Sequence, residues 1–363
     1  MLRLPRFELR RPRTLEEAAA ILTGEGAGEG AGESAGDAAG RAGEGRTLQS
    51  LRARVVAGGT DLWPNMKRRH QAADVVVALS GIPELRAIEA NGELRLGATA
   101  TLAEVAAHPA VREGYPALAR AVESISSPPL RNMGTIGGNV CVDTRCTYYN
   151  QTEEWRRSID YCMKEAGEIC WVAPSSPRCW AHSASDSAPM LAALGARARL
   201  VSAAGERTVP VADLYRDDGI DYLAKRPEEL VAEVLVPAEA ARERLASSFW
   251  KLRRRGSIDF AVLSVAAAVR TGAGGEVTEA RIYLGAVSSR PAAAEKAAAS
   301  LLGKPLTAES IAEAAKLARR DATPMDNTDF QAQWRGAVVP KYVEAALREC
   351  AGLPVERLPP NHP

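Results

Sequence analysis

The chain is predicted to adopt an α+β fold, and three observations carry that prediction. Short apolar runs ending at glycine or proline alternate with helical runs as far as residue 240. From residue 246 strands come first and helices afterwards, the pattern of a separate C-terminal α+β domain. The chain has 363 residues, 46% of them hydrophobic and 25% charged, which suits two or three globular domains with sizeable cores.

Taken in order, Thr14 and Glu17 predict a capping box that opens a short helix. Residues 24–46 (GEGAGEGAGESAGDAAGRAGEGR) have too little apolar surface to order themselves, and predict a flexible loop inside the first small domain. A phosphate cradle is disfavoured there, because no apolar strand leads into it. Residues 54–57 predict a strand running into Gly58-Gly59-Thr60-Asp61, with further strands at 75–79 and 94–98. Thr101 and Glu104 predict a second capping box. Residues 117–126 fit a helix that stops before Pro128-Pro129, since a residue before proline avoids the helical region. Residues 190–215 predict a short helix with strands at 198–201 and 209–210, and 229–236 a strand stopped by Pro237. Beyond 246, residues 249–269 predict two strands with a basic turn and 280–287 another. Residues 292–302, 308–320 and 339–351 predict helices.

A formal net charge of +1 gives no electrostatic case for nucleic acid or an anionic membrane. No stretch reaches the ~18 apolar residues that a membrane-spanning helix requires. The basic start, Met1 to Arg6, has no apolar run behind it, so no secretory signal is expected. The expected compartment is the cytoplasm, where thiols stay reduced and clustered cysteines serve more readily as ligands than as disulfides.

Two glycine loops carry the first chemical signal. Gly58-Gly59-Thr60-Asp61 follows a strand, and Gly137-Gly138-Asn139 follows Thr135-Ile136. Glycines let backbone N–H groups come close to phosphate oxygens. Neither loop reads G-x-G-x-x-G, which disfavours a Rossmann site. The pair could grip one diphosphate from both sides; each loop alone could equally be a turn.

The second signal is the cysteines. Cys146, Cys162, Cys170 and Cys179 are spaced C-x15-C-x7-C-x8-C, with Cys141 just before them. A structural zinc site usually has close C-x2-C pairs, and here there are none. Wide spacing suits an iron–sulfur cluster, which takes thiolates from several directions. Tyr148, Tyr149, Trp155, Tyr161, Trp171 and Trp180 could shield such a cluster. Zinc, or unrelated cysteines in a small aromatic core, stay open on spacing alone. Cys141 is a rival ligand, and Cys350 is expected to be a buried apolar residue. A thiolate cluster beside a dinucleotide loop would suggest electrons passing between two redox centres.

Asp186, within Ser185-Asp186-Ser187-Ala188-Pro189, could hold a ribose hydroxyl or cap the helix that follows. Lys251 and Arg253-Arg254-Arg255 form a basic run that usually marks a solvated face. His70, His108, His182 and His362 show no metal-binding spacing and are assigned no role.

Together these residues resemble a known family. Residues 55–62 (VVAGGTDL), 134–139 (GTIGGN) and 185–191 (SDSAPML) are similar to the FAD-binding medium subunit of the molybdenum hydroxylases, the xanthine dehydrogenase and carbon monoxide dehydrogenase family. Residues 251–260 (KLRRRGSIDF) and 284–291 (LGAVSSRP) resemble its C-terminal domain. The extra stretch between the second loop and Asp186, residues 142–183, resembles the insert of the 4-hydroxybenzoyl-CoA reductase β subunit. The departures from the family pattern are residues 24–46 and Trp334-Arg335, where Tyr-Arg is more usual.

The resemblance implies a two-part FAD-binding domain of the PCMH type and a C-terminal domain of the CO dehydrogenase flavoprotein type. The expected bounds are 1–58 and 59–240 for the two FAD-binding parts, with the insert at 142–183, and 246–363 for the C-terminal domain. It implies that Val56, Ala57, Gly58, Gly59, Thr60 and Asp61, with Thr135, Gly137, Gly138 and Asn139, hold the FAD pyrophosphate through backbone N–H groups. Asp186 would sit near the ribose, Lys251 near the flavin and Ile125 near the isoalloxazine ring. Cys146, Cys162, Cys170 and Cys179 would bind one 4Fe–4S cluster. The implied partners are a large molybdenum-cofactor subunit and a small subunit with two 2Fe–2S clusters. Reduced ferredoxin would be the electron donor, for reductive dehydroxylation of 4-hydroxybenzoyl-CoA. Two rival expectations are a medium subunit of an oxidising molybdenum hydroxylase (aldehyde, purine or CO type) and a zinc-stabilised binding module.

Overall fold

A computed structural model describes residues 2–24, 52–241, 245–355 and 358. The glycine-rich loop expected at 24–46 lies, from residue 25 on, outside the described residues.

The first layer is a parallel sheet. It is built from β1 (Glu8–Arg10), α1 (Leu15–Thr23), β2 (Ala53–Val56), α2 (Leu62–Lys67) and β3 (Val75–Ala78), with β3 central between β1 and β2. Thr14 caps α1 through the Glu17 N–H, but the Glu17 carboxylate accepts from Arg13 N rather than closing the box on Thr14. Because β3 is the central strand, this sheet runs past residue 58, the expected boundary.

The second layer is an antiparallel five-stranded sheet flanked by short helices. In chain order come β4 (Ile88–Asn91), β5 (Glu93–Gly97), α3 (Leu102–Ala107), α4 (Pro109–Gly114), α5 (Pro116–Glu123), α6 (Pro128–Arg131), α7 (Ile136–Val140), α8 (Glu153–Ser158), α9 (Ser187–Ala193), β6 (Arg197–Ser202), β7 (Gly205–Pro210) and β8 (Leu230–Val236). The strand order is β4-β5-β8-β6-β7. Every residue of β8 is buried, as a central strand covered on both faces requires. At α3 both arms of the Thr101–Glu104 capping box are formed.

The C-terminal layer has β9 (Leu245–Leu252), β10 (Leu263–Thr271), β11 (Val277–Gly285) and β12 (Ala292–Ala293) in one antiparallel sheet. It is covered by α10 (Glu295–Leu301), α11 (Ala308–Ala318) and α12 (Ala332–Cys350). Helix α10 starts later than expected, because Ala292 and Ala293 pair with Leu284 and Tyr283. Helix α12 starts earlier and carries Pro340 inside it. Arg335 in its first turns is fully buried and donates to the carbonyls of Val262 and Met325 at 2.9 Å each, and to that of Ala286. Cys350, expected to be buried, is half-buried at the helix end.

Candidate functional site: a cavity between two glycine loops beside a cysteine pocket

The first glycine loop leaves β2 at Gly58 and enters α2 at Leu62. Its glycines are dictated by contact. A Cβ on Gly58 would stand 1.7 Å from the Met133 carbonyl oxygen, so the first loop packs directly on the chain entering the second. Gly59 has φ +71°, the left-handed region that glycine alone enters without strain. The second loop caps α7, with Thr135 Oγ1 accepting from Gly138 N at 3.1 Å.

Between the loops lies a cavity of about 590 Å³, within the usual range for small-molecule sites. From the first loop it is lined by Val56, Ala57, Gly58, Gly59, Thr60 and Asp61. From elsewhere it is lined by Thr135, Gly137, Gly138, Asn139, Ile125 and Asp186. Of the residues expected around a flavin, Lys251 alone does not line it.

The two loops differ in their free donors. Ile136 N and Gly137 N donate to Ala100 O and Ala98 O at 3.0 Å, and Gly138 N is taken by Thr135. Among the described residues the amides of Gly58, Gly59, Thr60 and Asp61 have no acceptor. In the second loop Asn139 N is also taken, by the Thr135 carbonyl, while Thr135 N has no acceptor among the described residues. Most of the open donors thus lie on the first loop, and the Cβ direction of Gly138 is open apart from Thr135.

Asp186 does not cap α9; its side chain makes no capping bond. It accepts from Lys251 Nζ at 2.7 Å, and Lys251 also donates to the Ser124 carbonyl at 3.0 Å. Burial raises the Asp186 pKa, and the Lys251 ammonium opposes that rise. Lys251 is thus a buried partner of the cavity wall and not part of a solvated face; Arg254 and Arg255 alone of that run are exposed. Asn139 Oδ1 accepts from Ser185 Oγ at 2.9 Å and Ser187 Oγ at 2.6 Å, which ties the second loop to the Asp186 segment. At the mouth, Ile258 N donates to Ser126 O at 3.0 Å, and both residues have positive φ (+51° and +50°). A β-branched residue in that region is strained, and such strain clusters at ligand sites.

The insert packs against the cavity. Cys146, Cys162, Cys170 and Cys179 are all buried, and three of them share a small apolar cluster with Tyr149 and Ala181. Cys170 is buried as well, beside Cys179. Ala181 N donates to Cys179 Sγ at 3.4 Å. The neighbouring Cys179 is the main cause that brings the Cys170 thiol down to about 5, while burial pushes Cys146 up to about 11. Among the described residues no three His, Cys, Asp or Glu side chains are arranged to hold a single metal ion. The four thiols expected as ligands therefore share one pocket without forming such a site. Cys141 is not among them; it lines the cavity between the glycine loops, and burial raises its pKa. Of the aromatics, Tyr149 is fully buried but Trp155 is exposed.

Sequence reasoning missed the residues that join the two sites. Lys164, 1% exposed, donates to Asp143 at 2.8 Å, Thr144 at 2.7 Å and the Gly219 carbonyl at 2.6 Å. Asp143 also accepts from Gln71 at 2.9 Å and lines the cavity. Arg145 lines it too and pairs with Asp61. The signal available was their position: Asp143-Thr144-Arg145 runs straight into Cys146.

Two glycine segments, one leaving strand β2 and one opening helix α7, around a dinucleotide-sized cavity and followed by a separate α+β domain, are the arrangement of a cofactor-binding subunit. Residues 45–239 match the family of the FAD-binding domain in molybdopterin dehydrogenase, and residues 247–350 match the CO dehydrogenase flavoprotein C-terminal domain. The chain belongs to the FAD-binding medium subunits of the molybdenum hydroxylase family. It is 31% identical over 260 residues to the aldehyde oxidoreductase FAD-binding subunit of Escherichia coli (strain K12), covering 69% of this chain and 79% of that one. It is 26% identical over 352 residues to the carbon monoxide dehydrogenase medium chain of Hydrogenophaga pseudoflava, covering 96% and 99%. A solved structure of carbon monoxide dehydrogenase from the same organism superposes with a TM-score of 0.73 at 25% identity, over 96% of this chain and 99% of that one. Among the described residues no helix is long and apolar enough to cross a membrane.

Proposed function

We propose that this subunit holds FAD between its glycine loops and a 4Fe–4S cluster on Cys146, Cys162, Cys170 and Cys179. Its role in the complex is to pass electrons from reduced ferredoxin towards a partner subunit with two 2Fe–2S clusters and a large molybdenum-cofactor subunit. The proposed overall reaction is reductive dehydroxylation of 4-hydroxybenzoyl-CoA. The observation that carries the cluster reading is the set of four buried thiols, three of them in one small apolar cluster, in the segment that begins beside the cavity-lining Asp143 and Arg145. Hydrogen bonds to cysteine sulfur, such as that from Ala181 N to Cys179 Sγ, are one of the levers that tune such clusters. For FAD, the supporting features are the open amides of Gly58 to Asp61 and the open Cβ direction of Gly138.

When bound, the two groups supply one- and two-electron redox chemistry. The chain's own residues bind and orient them. Loop amides would accept the diphosphate, and the Asp186–Lys251 pair would fix the wall near the ribose. Ile125 would pack near the isoalloxazine ring. The insert would keep the thiolates away from water.

A second reading keeps the flavin site and changes the substrate. Relatives named for nicotinate, aldehyde and carbon monoxide oxidation match over most of their length, and no residue of this chain is expected to meet substrate. The test is anaerobic purification of the native complex, with flavin, iron and sulfide counted and 4-hydroxybenzoyl-CoA offered with reduced ferredoxin. Iron in excess of two 2Fe–2S clusters, together with benzoyl-CoA formation, is the expected result. Excess iron with oxidation of an aldehyde or purine instead would favour the second reading, and zinc in place of excess iron would overturn the cluster.

A further inference from the structure

Asp61 poses an electrostatic difficulty. It belongs to the loop whose amides are open, it lines the cavity, and its side chain is 31% exposed. A carboxylate there opposes any anion arriving at those amides. Arg145, 7% exposed, stands against it. Its guanidinium pairs with Asp61 and donates to Asn65 Oδ1 at 3.2 Å, while Asn65 donates to Asp61 at 3.0 Å. The same group lies 5.2 Å over the Phe260 ring, and its buried Nε has no partner among the described residues. Arg145 immediately precedes Cys146 and reaches the first loop from 84 residues away in sequence.

We infer that Arg145 is a positioning residue of the flavin site, supplied by the cysteine insert: it cancels the Asp61 charge and so lets the first glycine loop accept a diphosphate. The inference rests on the proposed placement of FAD between the loops. The insert then contributes to flavin binding as well as carrying the thiols.

The test compares FAD dissociation constants, read from flavin fluorescence, in the full chain after removal of its flavin. Arg145→Met should bind FAD about 10- to 100-fold more weakly, the span expected for losing one charge-assisted interaction. Asp61→Asn, which removes the opposing carboxylate and keeps the guanidinium, should bind FAD at least as tightly as the native chain. In the double variant the offending carboxylate is gone, so Asp61→Asn should recover most of the affinity lost in Arg145→Met, a non-additivity that a purely structural role would not produce. Arg145→Lys should lie between Arg145→Met and the native chain. Wild-type affinity in Arg145→Met, or a double variant no better than Arg145→Met, overturns the inference. Gly138→Val serves as the control on placement. If it keeps full FAD affinity, the loop placement itself is wrong; if it loses FAD while Arg145→Met does not, only the role of Arg145 fails.

Discussion

A Cβ on Gly137 would stand 2.6 Å from Ala98 Cβ and 2.8 Å from the Ala98 carbonyl oxygen, whereas one on Gly138 would meet only Thr135 Oγ1, at 3.0 Å. The two neighbours therefore make different demands. Gly137 is required by the fold, because α7 lies directly on the chain leaving β5. Gly138 faces the cavity, and the fold asks less of it. Gly137→Ala is expected to lower the melting temperature substantially, since backbone atoms cannot move aside cheaply. Gly138→Val is expected to lower it less, because only the Thr135 side chain and not backbone must give way. It should nevertheless lose most of its FAD, as absorbance near the flavin band against protein concentration would show. Equal thermal loss in both variants, or full flavin in Gly138→Val, would contradict the division. From the sequence the two glycines were indistinguishable; the difference lies in Ala98, a residue that no motif singles out.

At the scale of elements, the insert is bound to its surroundings on several sides. Tyr149 Oη donates to the His70 carbonyl at 2.7 Å, and Arg156 donates to that of Arg68 at 2.9 Å. Arg145 and His182 exchange backbone hydrogen bonds at 2.9 and 2.8 Å. The segment that carries the thiols is thus held by packing and hydrogen bonds of its own. Cys146→Ser, or the same change at Cys162, Cys170 or Cys179, should remove about four irons per chain while leaving the insert folded. Cys141→Ser should leave the iron count unchanged, since Cys141 lines the cavity and is outside the apolar cluster that holds Cys146, Cys162 and Cys179. Loss of iron in Cys141→Ser with retention in Cys146→Ser would sink the assignment. Much at this scale was legible. The Thr101–Glu104 capping box, the strand leading into the first glycine loop and the strands-then-helices order at the C-terminus all follow local rules of period and capping; the second glycine segment, expected after a strand, opens helix α7 instead. What was not legible is non-local. Asp186 resembles a helix cap by position, yet it is claimed by Lys251, 65 residues away. The residues before Pro340 did not read as helix, yet Arg335 is held there by carbonyls from three other segments.

For the whole molecule, acid should loosen the junction between the insert and the rest. His70 is 3% exposed against Tyr149, with Nε2 3.3 Å from the Gln151 carbonyl; burial and the nearby Arg156 push its pKa down to about 4. His182 is 2% exposed, and burial with Arg335 brings it to about 3. In the unfolded chain both titrate near 6.5. The unfolded state therefore binds more protons below that value. The stability of the neutral buried rings is complete above about pH 6.5 and is lost as pH falls towards 4 and then 3. Glu165 faces the same Arg156 and works the other way. Burial raises it from 4.5 to about 7, so its contribution is present at low pH and is lost as pH rises through that window. The two slopes overlap between pH 4.5 and 6.5, so the native chain alone would blur them, and difference curves separate them. His70→Gln should gain stability relative to the native chain as pH falls from 6.5 to 4. Glu165→Gln should gain relative to the native chain as pH rises from 4.5 to 7. Denaturant midpoints taken at pH 4, 5, 6 and 7 would show the two differences sloping in opposite directions. Parallel curves for His70→Gln and the native chain would mean that the ring is solvated, and that the insert docks on this face less tightly than the His70–Tyr149 contact implies.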